Sequence, residues 1–127
     1  MVKNTLLEAL GIEITHLEAG KVIATMPVDE RTKQPFGLLH GGASVALAET
    51  VASLGAYELV DKETQGVVGL EINANHVRSA REGFVTAVAT VLHQGKTTMV
   101  WDIKIHDEKE RLICVSRCTM AVISLKK

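Results

Sequence analysis

The sequence predicts an α+β fold in which a curved antiparallel sheet of about six strands wraps around one long central helix. Three observations predict it. The segment from Gly41 to about Val60 has alanine, leucine and valine at helical spacing and contains no proline. Two β-rich runs precede this segment and four follow it. The connections between the later runs are short, which requires antiparallel pairing.

The composition limits the function classes. With 127 residues, 46% of them hydrophobic and 23% charged, the chain is expected to form one domain over residues 1–127. The formal net charge of -1 provides no basic field for nucleic acid or an anionic membrane. No leader peptide is visible, and the most apolar window contains Glu49 and His40, which argues against a membrane span. We therefore expect a cytoplasmic protein.

The N-terminal part of the chain predicts a short helix followed by a hairpin. Asn4 is expected to cap a helix over Thr5–Leu10, and Gly11 is expected to end it. Ile12–Leu17 and Lys21–Val28 are rich in β-branched residues and are separated by an Ala-Gly pair, as in a hairpin.

The central part predicts a loop and then the long helix. Asp29–Leu39 is punctuated by Pro35 and Gly37 and is predicted to be a loop. The following helix is about 30 Å long if it runs from Gly41 to Val60. Because it is apolar nearly all round, we expect it to be buried.

The remaining chain is predicted to be entirely β-structure, with turns of Gly, Asp, Glu and Lys between the runs. The four predicted strands are Gly66–Asn75, Gly83–His93, Thr97–Asp107 and Arg111–Ile123. Cys114 and Cys118 lie four residues apart in the last one, about 13 Å along a strand. They are therefore too far apart to form a disulfide with each other, as expected in a reducing compartment.

One carboxylate stands out in the predicted helix. Glu49 is the only formally charged residue between Gln34 and Tyr57, and its neighbours three and four positions away are small or apolar. It is either a buried structural acid paired with a cation from another element, or a catalytic group at the edge of an apolar cleft. The residues alone leave both interpretations open.

Three segments together resemble the acyl-CoA thioesterases of the hotdog fold. They are Met26-Pro-Val-Asp29, then Gln34-Pro-Phe-Gly-Leu-Leu-His-Gly-Gly42 leading into the helix that bears Glu49, and Gly69-Leu-Glu-Ile-Asn-Ala-Asn-His-Val-Arg78. The similarity is closest to the 1,4-dihydroxy-2-naphthoyl-CoA hydrolase and phenylacetate-degradation branch, the former serving menaquinone biosynthesis. It implies hydrolysis of an acyl-CoA, with an aromatic acyl group, to free acid and CoA.

The resemblance implies roles for five residues. Members of the family place their catalytic acid nine positions after the histidine of His-Gly-Gly, as Glu49 stands after His40. Glu49 would be nucleophile or general base, and the backbone N–H of Gly41 would donate to the oxyanion. Gln34 and His40 would orient the thioester carbonyl, and Ser53 would hold the attacking water or steady the carboxylate. Physical chemistry agrees for Gly41, because the first N–H groups of a helix have no internal partner.

The resemblance also implies acyl-CoA contacts on two segments. Gly69 and residues His76, Val77, Arg78 and Ser79 would contact the acyl-CoA, with the guanidinium suited to phosphate. The turn of His93, Gln94, Gly95, Lys96, Thr97 and Thr98 would border the same nucleotide. Here the sequence departs from the closest branch, which has Ser-Arg-His where this chain has Lys96-Thr97-Thr98.

We expect no metal and no cofactor, since CoA is part of the substrate and the five histidines lack ligand spacing. We expect no nucleic-acid or membrane partner. The resemblance implies a homodimer that pairs with a second dimer into a homotetramer, as is common in the family, with each active site at the dimer interface. Two other functions stay open: a hotdog hydratase or dehydratase, which would carry an Asp and His pair, and a non-catalytic acyl-CoA-binding protein. A sensor of that last kind would be expected to carry a DNA-binding segment, for which the chain has no room.

Overall fold

The computed structural model describes residues 2–125 and has the predicted α+β architecture. Two helices and six strands follow one another along the chain in the order α1, β1, β2, α2, β3, β4, β5, β6. Their bounds are α1 Leu6–Leu10, β1 Glu13–Glu18, β2 Lys21–Pro27, α2 Gly41–Tyr57, β3 Gln65–His76, β4 Phe84–Gln94, β5 Thr98–His106 and β6 Leu112–Ser124.

The six strands form one antiparallel sheet in the order β1-β2-β4-β5-β6-β3. Because β2 pairs with β4, the chain must travel through α2 to the far edge of the sheet before β3 begins. This long connection lays α2 across the sheet, where it packs against all six strands. β3 becomes an edge strand, hydrogen-bonded on one side to β6.

The core lies between one side of α2 and the sheet. Eight buried residues form this packed face of the helix, as small side chains let helix and sheet approach closely. They are Ala43, Ser44, Leu47, Ala48, Val51, Ala52, Gly55 and Ala56. Gly55 shows why size matters here, since a methyl group on it would overlap the buried ring of Trp101 on β5.

The other side of α2 is not covered, so the prediction of a helix buried all round was wrong. This open face carries two exposed and five half-buried residues: Gly42, Val45, Ala46, Glu49, Thr50, Ser53 and Leu54. Glu49 itself is exposed within the chain. Local sequence cannot distinguish a helix face that packs on its own sheet from a face that the sheet leaves uncovered, because the side chains of both faces are apolar.

Several boundaries differ slightly from the predicted ones. The first helix begins after Thr5, whose extended backbone makes it the N-cap, so the expectation that Asn4 caps the helix was wrong. Gly11 ends this helix in the left-handed conformation (φ 74), as predicted. The long helix stops at Tyr57 instead of about Val60. The six predicted strands and the hairpin turn before Lys21 are all present.

The sequence predicted that the two cysteines do not form a disulfide with each other. Cys114 and Cys118 are both free thiols, buried on the inner side of β6. Over residues 2–125, no helix combines the length and the apolar character that crossing a bilayer requires.

Candidate active site

Two cavities flank α2, and each is lined by some of the predicted site residues. His40, Gly69 and the turn from His93 to Thr98 line neither of the two. The first, of about 360 Å³, lies at the beginning of the helix and is called the helix-start cavity. Its lining includes Gln34, Gly41, Ser44, His76, Arg78 and Ser79. The second, of about 590 Å³, lies over the open face and is called the mid-helix cavity. Its lining includes Leu6, Leu7, Val45, Glu49, Ser53 and Leu54.

His40 and Gly41 set up the beginning of α2. His40 is the N-cap, and its Nδ1 accepts a hydrogen bond of 2.7 Å from the backbone N–H of Gly42. The neutral imidazole therefore carries its proton on Nε2. The N–H of Gly41 makes no hydrogen bond within residues 2–125. One donor at the positive end of the helix dipole is thus left free, beside the helix-start cavity.

Gln34 is held by the loop that precedes the helix. Its side-chain oxygen accepts hydrogen bonds from the backbone N–H groups of Phe36 (2.6 Å) and Leu38 (3.2 Å). Because the oxygen is occupied, the NH₂ group is the end of this amide that remains for another acceptor. The loop itself is tied to the β2 end by buried Thr32, whose hydroxyl donates to the carbonyl of Pro27 at 2.8 Å.

The last residue of β3 and the segment after it complete the helix-start cavity. His76, Val77, Arg78 and Ser79 all line it, so one cavity contains Gln34, Gly41 and the predicted acyl-CoA segment. The ring of His76 lies against Gly41, with Nε2 3.0 Å from where a side chain on Gly41 would begin. A larger residue at position 41 would therefore crowd both His76 and the free N–H.

Ser44 also lines the helix-start cavity and was not predicted from the sequence. It is 1% exposed and stands one helical turn after Gly41. The available signal was its spacing: residues three apart share a helix face. Leu6 and Leu7 were missed for a different reason, since only the tertiary fold brings α1 over the mid-helix cavity.

Glu49 and Ser53 lie together in the mid-helix cavity, one helical turn apart. The hydroxyl of Ser53 points to the sulfur of Met120 on β6, at 3.9 Å. The carboxylate of Glu49 reaches β3, where one oxygen lies over the backbone of Gly69. Burial raises the pKa of the Cys118 thiol to about 11, and the negative charges of Glu49 and Glu71 add to this effect.

Within one chain, Gly41 and Glu49 are not arranged to act on one thioester. Their backbone positions are eight residues apart on the helix, about 12 Å along the axis. A reacting carbonyl has to lie about 3 Å from both an oxyanion donor and a nucleophile or base. They also open into different cavities.

The two predicted acyl-CoA segments are separated in the same way. His76 lies level with Cys114 on β6, whereas the end of β4 at Gln94 lies level with Met99, Met120 and Gly69. These levels are seven residue steps apart along β3, from Gly69 to His76, about 23 Å at about 3.3 Å per step. In one chain, the turn from His93 to Thr98 is therefore on the Glu49 side of the molecule and Arg78 is on the Gly41 side.

No three His, Cys, Asp or Glu side chains among residues 2–125 are grouped closely enough to hold a metal ion. Together, the two cavities provide a carboxylate, backbone N–H groups, an amide, an imidazole, hydroxyl groups and the guanidinium of Arg78. A carboxylate with separate oxyanion donors is suited to acyl transfer.

Comparison with known proteins gives consistent results. The family model of the thioesterase superfamily matches residues 36–114. The chain is 65% identical over 122 residues to ComA2 of Bacillus subtilis (strain 168), an esterase by name, covering 96% of this chain and 97% of that protein. It is 55% identical over 123 residues to the 1,4-dihydroxy-2-naphthoyl-CoA hydrolase of Escherichia coli (strain K12), covering 97% of this chain and 90% of the relative.

The fold is also that of a solved thioesterase. The crystal structure of a mutant of thioesterase PA1618 from Pseudomonas aeruginosa superposes with a TM-score of 0.95 at 49% sequence identity. The match covers 98% of this chain and 89% of the other.

Proposed function

Since this chain belongs to the thioesterase superfamily and has the hotdog fold of an acyl-CoA thioesterase, we propose that it hydrolyses an aromatic acyl-CoA at a site built by two chains. The compound proposed is 1,4-dihydroxy-2-naphthoyl-CoA or a thioester of similar shape, because a relative at 55% identity is named for hydrolysing that compound. The mid-helix cavity supports a compact apolar acyl group, since leucine and valine side chains of α1 and α2 surround Glu49.

The observation that carries the shared site is the separation of Gly41 from Glu49 by about 12 Å of helix. A second chain removes the difficulty if it places its Glu49 beside the helix-start cavity of the first. The free N–H of Gly41 and the amide of Gln34 would then bind the carbonyl oxygen, while the partner's carboxylate faces the carbonyl carbon. The same arrangement would bring the turn from His93 to Thr98 of one chain near Arg78 of the other.

The exposed side of the molecule supports pairing through β3. This strand has twelve residues, one free edge and exposed apolar side chains at Val68 (46%) and Leu70 (60%). A long apolar edge of this kind invites pairing with another strand. Phe36, which is 83% exposed and hydrogen-bonded to Gln34, is a further large apolar side chain that one chain leaves uncovered. Pairing of two β3 strands would give a dimer, and two such dimers forming a tetramer is the corresponding proposal for the full assembly.

Glu49 can release the acid in either of two balanced ways. As nucleophile, its oxygen attacks the carbonyl carbon, CoA leaves as the thiolate, and water then opens the mixed anhydride. As general base, it takes a proton from water, whose oxygen attacks the same carbon while CoA leaves. A single turnover in H₂¹⁸O separates them when label is found in Glu49 itself, because only the anhydride route can place it there.

A panel of CoA thioesters, assayed by release of free thiol, tests the substrate class. We expect kcat/KM for benzoyl-like and naphthoyl-like thioesters to exceed that for long straight chains. Faster hydrolysis of palmitoyl-CoA than of any aryl thioester would contradict the proposal. No release of CoA from any thioester, together with tight acyl-CoA binding, would instead favour a non-catalytic binding protein.

Mixing an inactive variant with a severely impaired one tests the shared site. Glu49→Ala and Gln34→Ala chains are refolded together in equal amounts. If the site is shared, a mixed dimer has one site with both defects and one with neither. Random pairing makes half of the dimers mixed, so about a quarter of wild-type activity should return. If both residues serve the same site from one chain, every site keeps a defect and no activity returns, once mass spectrometry has confirmed subunit exchange.

A further inference from the structure

Gly69 on β3 lies directly under the carboxylate of Glu49. A Cβ atom built on Gly69 would be 2.5 Å from Oε2 of Glu49, much closer than carbon and oxygen can approach without bonding. The space that any other residue would use for its side chain is therefore taken by the carboxylate.

The backbone does not explain this glycine. Among residues 2–125, the glycines with positive φ are Gly11, Gly20, Gly37 and Gly83, so Gly69 has a conformation open to any residue. Gly66, three residues earlier on β3, provides a contrast. A Cβ there would meet Leu125 at 3.4 Å, an ordinary contact, so position 66 has room for a side chain and position 69 does not.

The strand is also irregular at this point. The pairing of β3 with β6 shifts register between Gly69 and Glu71, leaving Leu70 as an extra residue. Such bulges are frequent next to active sites, where they change the direction of a side chain or a backbone group. The same placement has an electrostatic consequence, since the charge of Glu49 helps to raise the pKa of the Cys118 thiol on β6, level with Ile72 of β3.

We propose that Gly69 is a positioning residue for Glu49: its missing side chain lets the carboxylate rest against β3, in the orientation that the partner chain's substrate requires. The inference rests on the function proposed above and deepens it. It differs from the role that resemblance implies for Gly69, which is contact with the acyl-CoA. Any larger residue would push the reacting oxygen away by about 1 Å, and displacements of that size cost up to about 100-fold in rate.

The contact also predicts which property of the protein will change. The atom that a new Cβ would meet is the far end of a flexible side chain, which can swing into the mid-helix cavity at little cost. The fold should therefore tolerate Gly69→Ala while the chemistry does not. A residue that only contacted CoA would affect substrate binding instead.

The test compares Gly69→Ala with the matched control Gly66→Ala on the same strand. We expect Gly69→Ala to lower kcat about 10-fold to 100-fold, with KM within about twofold and an unchanged Tm. Gly66→Ala should leave kcat, KM and Tm unchanged. A Gly69→Ala enzyme with wild-type kcat, or one whose loss is entirely in KM, would overturn the positioning role.

The double variant Glu49→Ala/Gly69→Ala supplies a second readout. Because removal of the Glu49 side chain empties the space, the double variant should have the residual rate and the Tm of Glu49→Ala alone. If Gly69→Ala by itself fails to fold, recovery of folding in the double variant supports the contact, and failure of both overturns it. If Glu49→Ala alone keeps wild-type turnover, the proposed function is wrong. If Glu49→Ala is inactive and Gly69→Ala has wild-type kcat, only the positioning role is wrong.

Discussion

The packed and open faces of α2 have similar small residues but meet different surroundings. On the packed face, Ala48, Ala52 and Gly55 are fully buried, and their size lets the sheet approach until Trp101 touches the helix backbone. On the open face, Ala46 and Ser53 leave a cavity of about 590 Å³ around Glu49. The same choice of residue thus provides close packing on one side and room for a reaction on the other. Substitutions should separate accordingly into effects on stability and effects on catalysis.

The largest effect is expected on the open face. Glu49→Ala should lower kcat by at least about 100-fold, because it removes the nucleophile or base. Its Tm should stay at the wild-type value, since an exposed side chain is lost. Glu49→Gln is the matched control for shape and should be similarly inactive. A variant that keeps more than about a tenth of kcat, a loss under about 1.4 kcal/mol, would remove Glu49 from the chemistry.

The packed face should give the opposite result. Gly55→Ala forces a methyl group into the Trp101 ring, and overpacking of this kind costs about 1–3 kcal/mol of unfolding free energy. Urea denaturation measures the loss, while kcat of the folded enzyme should stay within about twofold. In a Trp101→Phe background, Gly55→Ala should cost less unfolding free energy than it does in the wild type, because the smaller ring leaves space for the methyl group. Full stability of Gly55→Ala would mean that the contact is not tight.

A smaller effect tests whether substrate binding belongs to the helix-start cavity. Arg78→Ala should raise KM for CoA thioesters about 10-fold, the value of one charge-assisted hydrogen bond. For pantetheine thioesters, which lack the nucleotide, KM should change little. Equal effects on the two substrates would show that Arg78 does not contact phosphate.

The smallest expected effect is the reactivity of the two thiols of β6, which are buried in the core that the packed face of α2 covers. With a pKa of about 11, Cys118 is about one part in a thousand thiolate at pH 8, and the fraction rises as pH approaches 11. Burial raises the pKa of Cys114 as well. A disulfide reagent such as DTNB should therefore leave both thiols unmodified in the folded enzyme and react with two per chain in guanidinium. Rapid reaction without denaturant would show that the packed face opens.

Much of the fold was predictable because it depends on local patterns. The alternation of β-branched residues located all six strands to within a residue or two, and Gly11 and the long alanine-rich segment located both helices. The exposure of Glu49 was not predictable, because an apolar neighbourhood in sequence is the same whether a sheet or a second chain covers it. The place of β3 beside β6 was also hidden, since strand order depends on contacts distant in sequence.

The candidate site was also predictable only in part. Gln34, Gly41 and the segment from His76 to Ser79 line one cavity. The resemblance implied a role for each but not that they lie together, and those roles stay predictions. The sequence could not show why position 69 is a glycine. Glycine in a strand is compatible with a bulge, a ligand or a close approach, and only the position of Glu49 distinguishes among them.

The close contact of Trp101 with Gly55 has an optical consequence. Trp101 is the only tryptophan in the sequence and its ring is fully buried, so the tryptophan emission of the protein comes from one place in the core. Its spectrum should be blue-shifted in the folded state and move to the red when the helix leaves the sheet. The signal therefore follows refolding of each chain directly, and a mixture of variants can be checked for native cores before any substrate is added.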